Sequence, residues 1–131
     1  DPTLPRVVLE LLLKWDGCDA VINLGLVGRR QVLRRHGESV LKVDPNYTAE
    51  FIKKIHQDFK KFEMDYIAQI IDLMEKYNKP VFGVSMLPDE KHQTVYPYKK
   101  RTFKAVFFPS PERAVGAFAK MVQYQKFFSR K

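Results

Sequence analysis

Three histidines, one cysteine and two serines beside apolar runs are the side chains of this sequence that could begin a chemical step. His36, His56 and His92 stand far apart. A zinc site needs three or four ligands converging at short, regular spacings, and only His92 has a carboxylate three residues away, Asp89. That pair falls in a stretch read as loop, and no metal site is expected. His56 lies four residues after Ile52 and three before Phe59, which reads as a partly exposed histidine on a helix. A reactive thiol needs a basic neighbourhood; Cys18 has Asp16 and Asp19 beside it and reads as inert. Ser85 and Ser110 have no base nearby in sequence, and Ser110 is better explained as a helix cap. The chain contains no GxGxxG, Walker-type phosphate loop, CxxC or HExxH. No catalytic residue is assigned.

The elements that would position such groups follow an alternating pattern. From Thr3 to Trp15, the residues Leu4, Val7, Val8, Leu11, Leu12 and Trp15 fall on one helical stripe. Thr3 is the expected N-cap, Pro5 is tolerated in the first turn, and Asp16-Gly17 stops the helix. Three apolar runs, 18–24, 80–86 and 105–108, suit parallel strands covered on both faces. A last helix opens at Ser110-Pro111-Glu112, and Ala114, Val115, Phe118, Met121 and Val122 are its expected buried stripe. The crossover 87–104 shows no clear periodicity. This order predicts an α/β fold, three-layer, with three parallel strands flanked by helices.

Between Leu26 and Tyr77 the pattern changes. Four arginines surround Val32 and Leu33 within residues 29–35, and Asp44-Pro45-Asn46 is a turn. From Thr48 to Tyr77 there is neither Gly nor Pro, and Phe51, Ile55, Phe59, Phe62, Tyr66, Ile70, Leu73 and Tyr77 hold a helical repeat. A helix of that length would run ~45 Å at 1.5 Å per residue. Its first half should therefore overhang the sheet, or the helix should break near Glu63.

In open parallel sheets, ligands bind outside the carboxyl ends of the strands. Those ends place Asn23, Gly25, Ser85 and Ser110 as ligand-cleft candidates, by fold logic rather than by motif.

The chain has 131 residues and a formal net charge of +8, enough for one domain, residues 1–131, with a packed core. Residues 89–131 hold ten bases and three acids, so the excess sits in the C-terminal third. One cysteine excludes an internal disulfide framework and fits a reducing, cytoplasmic setting. No run approaches the ~18 apolar residues of a membrane span. Aromatic and basic residues interleave from Tyr96 to Lys104, a pattern that can stack bases and pair phosphates. The competing reading is a connection whose aromatics pack inward.

Several phrases resemble a known family. The helix from Pro5 to Trp15 followed by Asp16-Gly17-Cys18-Asp19-Ala20-Val21-Ile22 is similar to a helix–strand stretch of NDP-forming acyl-CoA synthetases. Asn78-Lys79-Pro80-Val81-Phe82-Gly83-Val84 resembles that family's GKPVLAV strand. Phe107-Phe108-Pro109-Ser110-Pro111-Glu112-Arg113-Ala114-Val115 resembles its closing strand–helix junction, where PERAV is the most specific element. The resemblance implies a flavodoxin-like, succinyl-CoA synthetase-like domain over residues 1–25 and 64–128, with a helical insertion at about 26–63. The family's leading strands, Gly-rich loop and phosphohistidine motif have no counterpart here, so the unit would be partial and non-catalytic. It would support a CoA ligase whose CoA and ATP or ADP are bound elsewhere. The alternative is a non-enzymatic interaction module binding nucleic acid or a protein through the basic third.

An assembly is also expected: other domains of such a ligase, or a homodimer. Missing strands would leave a sheet edge open. The stripe Phe51, Ile52, Ile55, Phe59 and Phe62 would need cover from a second copy, unless the insertion folds back over the edge.

Overall fold

The computed structural model describes residues 3–25, 27–28, 30–85 and 94–129. The elements in chain order are α1 (Leu4–Lys14), β1 (Val21–Leu24), α2 (Arg30–Val43), α3 (Ala49–Tyr77), β2 (Val81–Val84), β3 (Val95–Tyr96), β4 (Ala105–Phe108) and α4 (Pro111–Phe128). They form an α/β fold with an open, mostly parallel sheet. Strand order is β1-β2-β4-β3. β1 runs parallel to β2 with Val21 opposite Val81, and β2 parallel to β4 with Phe82 opposite Val106. The three expected strands are thus present and parallel. β3 is an addition: within the crossover read as featureless, Val95 and Tyr96 pair antiparallel to β4. Two residues are too short to show a period of two, which is why the pattern was silent. Met86, Arg29 and the Asp89–His92 pair lie outside the described residues.

Side chains alternate across the sheet, as a strand requires. On one face Val81, Ala105 and Phe107 join Leu9 and Leu13 of α1 and Tyr66, Ile67, Ile70, Ile71, Leu73 and Met74 of α3. On the other, Phe82 and Val84 pack with Ala114 of α4, backed by Ile22, Phe108 and Phe118. The Phe82 ring lies 5.9 Å from both Phe108 and Phe118. Helices therefore cover both faces.

α3 does not break at Glu63; it is one helix of 29 residues, about 43 Å long. The Thr48 hydroxyl accepts from the Phe51 amide at its start, and Asn78 ends it in the left-handed region at φ 51°. Its second half lies on the sheet, and its first half overhangs and pairs with α2. Gly37 makes that pairing close, since a Cβ there would come within 2.6 Å of Ile52 Cγ2. The insertion thus supplies its own cover. Ile52, Ile55, Phe59 and Phe62 are half-buried within the chain and Phe51 of that stripe is exposed, so α2 gives the stripe part of the cover that would otherwise come from a second copy.

Two other stripes also differ from the sequence reading. In α1 the buried residues are Leu9 and Leu13, while Leu4, Val7, Val8, Leu11, Leu12 and Trp15 are exposed. α1 is apolar around most of its circumference, and its neighbours, α3 and β1, touch only the narrower side. Thr3 occupies the N-cap position without a side-chain capping bond. In α4, Ala114 is buried and Phe118 and Val122 half-buried, but Val115 and Met121 point to solvent.

Candidate functional site

The carboxyl ends of β1 and β2 bring together three of the four cleft candidates. Asn23 Nδ2 donates to the Tyr66 hydroxyl at 2.6 Å, joining the strand end to α3. Gly25 follows with φ 74°, and its amide donates to the Val84 carbonyl at 3.3 Å. The Ser85 amide donates to the Phe108 carbonyl at 2.9 Å, which carries the ladder on to β4. Ser110 stands apart in role. Its hydroxyl accepts from the Arg113 amide at 3.4 Å and caps α4. The same hydroxyl, followed by backbone amide bonding, holds the Glu112 carboxyl below its ordinary range.

Two groups that the sequence reading did not assign to the site complete it. Glu63 is fully buried, and its Oε1 accepts from the Gly28 amide at 2.9 Å. Gly28 has φ 91°, a conformation L side chains rarely adopt, and a Cβ there would overlap the Ser85 hydroxyl. Val27 beside it is buried in the core. The turn after β1 therefore packs directly onto Ser85, anchored by a carboxylate from the helix behind it. A buried polar group needs such hydrogen bonds to be tolerated. The available signal was Glu63 itself, an acid standing four residues after Phe59 and three before Tyr66, inside the apolar repeat.

The chemistry this permits is narrow. Burial pushes the Tyr66 phenol above its ordinary value, and the bond from Asn23 only partly offsets that. A phenol so shifted is a poor proton shuttle near neutrality. Ser85 faces the glycine turn, and Ser110 is committed to its helix. Among the described residues no group of three His, Cys, Asp or Glu could hold a metal ion. These residues position a turn.

A cleft of 1060 Å³ lies at the opposite end of the sheet, where Asp19, Lys79 and Phe103 precede the strands and Phe118, Met121 and Tyr124 of α4 form one wall. The carboxyl ends of α1 and α3 point the same way. Lys79 Nζ donates to the Trp15 carbonyl at 2.9 Å, which answers the partial negative charge of the α1 end. Helix carboxyl ends disfavour a phosphate, and Lys79 and Lys120 of the lining work in the opposite sense.

The interleaved stretch 96–104 is largely built into the fold. Tyr96 meets Phe107 edge-on at 5.5 Å, and Tyr96, Tyr98 and Phe103 pack against the core. The Phe103 amide donates to Glu75 at 2.8 Å, Arg101 pairs with Asp72 at 2.6 Å, and Lys99 lies over the Tyr98 ring. Its rings serve packing first.

Comparison with protein-family models, with curated proteins and with solved structures returned no match. No helix among the described residues is long and apolar enough to cross a membrane.

Proposed function

We propose that the chain is a non-catalytic, flavodoxin-like unit supporting an NDP-forming acyl-CoA synthetase-like ligase. The observation that carries this reading is where the three family-like phrases fall. They lie on α1–β1, on β2 and on the β4–α4 junction, which are successive pieces of one parallel α/β unit. The strand ends favour a supporting rather than a catalytic role. There Gly28 lies on Ser85, Glu63 holds the Gly28 amide, and Ser110 caps a helix. CoA and ATP or ADP are bound by other parts of the ligase.

Two measurements test it. The isolated chain, given acyl-CoA, NDP and phosphate, should form no NTP above a buffer control; clear turnover would contradict the non-catalytic role. A chimaera tests the ligase class. Residues 1–131 replacing the corresponding segment of an NDP-forming acyl-CoA synthetase should retain measurable activity. A chimaera that folds but is inactive would count against the class.

A further inference from the structure

The exposed side of α1 is a dense apolar surface. Leu4, Val7, Val8, Leu11, Leu12 and Trp15 are each between 39% and 64% exposed. Together they make a patch on the order of 600 Å², at the top of the range for a monomer's largest patch. α1 also contacts β1, the end strand of the sheet. β1 has a neighbour on one side only among the described strands. The Val21 and Gly25 amides donate toward β2, to Pro80 and Val84. Amide direction alternates along a strand, so Ile22 and Leu24 turn their backbone groups to the open edge. Leu24 is itself 58% exposed.

We infer that the α1 stripe and the β1 edge together form a two-fold interface whose occupant is a second copy of this chain. The stripe is symmetric in spacing. With two α1 helices antiparallel, Leu4 faces Trp15 of the second copy, Val7 faces Leu12 and Val8 faces Leu11. Every apolar residue then meets another, as an isologous contact requires. A two-fold axis normal to the sheet also sets the two β1 strands antiparallel, the sense in which their open edges can pair. Stripe and edge combined approach the ~800 Å² per partner of a stable interface. The inference stands apart from the ligase reading, because it uses only exposure and topology.

The test is the mass of the 131-residue chain by light scattering from low to high micromolar concentration. The expected mass is twice 15.4 kDa. Leu11→Glu enters a symmetric contact twice and should weaken dimerisation at least about 100-fold. Adding Val8→Lys to that variant sets opposite charges face to face, and should recover about tenfold or more of the loss. Phe128→Glu, on the exposed aromatic end of α4, and Phe51→Glu, on α3, should leave the mass unchanged. A monomer at the highest concentration, a dimer indifferent to Leu11→Glu, or a dimer lost through Phe128→Glu would each overturn the inference.

Discussion

The second half of α3 and the whole of α1 carry similarly dense apolar repeats, yet they meet opposite environments. In α3, Tyr66, Ile67, Ile70, Ile71, Leu73 and Met74 are all at most 4% exposed, because the sheet lies beneath them and α1 beside them. In α1 only Leu9 and Leu13 are buried, and the longer stripe faces solvent. Periodicity determines which side chains share a face. Whether that face has a neighbour is decided by topology, which places α1 at the β1 margin of the sheet.

The sharpest way to break this comparison is to remove the same kind of side chain from each region. Ile71→Ala should cost about 2–5 kcal/mol, the transfer loss plus a cavity. Leu11→Ala, measured by denaturant unfolding at dilute concentration, should stay within about 0.5 kcal/mol. Similar losses at both positions would mean that α1 is as well covered as α3.

The same distinction explains what was legible in the sequence. The three strands were readable because runs such as Val81-Phe82-Gly83-Val84 are buried on both faces and need no alternation. The overhang of α3 followed from length alone. The cover supplied by α2 was not readable, since Arg34 and Arg35 mask the Val32–Leu33 face and the close approach depends on Gly37. β3 was too short to carry a period. Of the site, Asn23, Gly25 and Ser85 were placed by the rule for strand ends. Gly28 and Glu63 were not, because their contact joins residues 35 apart in sequence and nothing local announces it.

A smaller effect separates the two kinds of glycine. Gly28→Ala forces a side chain into the left-handed region and onto Ser85, and should cost about 1–3 kcal/mol. Gly116 sits within α4, where an added Cβ would find nothing within 4 Å, and Gly116→Ala should stabilise by about 0.5–1 kcal/mol. Thermal unfolding of the two variants should therefore move in opposite directions, and a shift of the same sign in both would contradict the packing of the Gly28 turn.

The smallest effect concerns the tie between the two helices. Glu10 accepts from Lys76 at 2.6 Å and from the Tyr77 hydroxyl at 3.0 Å. The Lys76 bond, then that of Tyr77, holds the Glu10 carboxyl below its ordinary value. A carboxyl lowered by folding binds fewer protons in the folded state, so its contribution is present above the ordinary carboxylate range. It is lost as pH falls through the lower, folded-state value. Because the pair is exposed, the slope should be slight. Glu10→Gln should flatten it in unfolding midpoints measured across acid pH, and an unchanged slope would show that the tie does not couple α1 to α3.

Trp15 gives the most direct test of what covers α1. It is the sole tryptophan of the chain, and it is 64% exposed at the end of the stripe. Its fluorescence can be followed through a concentration series, together with its quenching by acrylamide. Burial against a second copy should shift the emission to shorter wavelength and reduce quenching as concentration rises, and Leu11→Glu should abolish both changes. Emission and quenching that stay those of an exposed indole at every concentration would contradict the account.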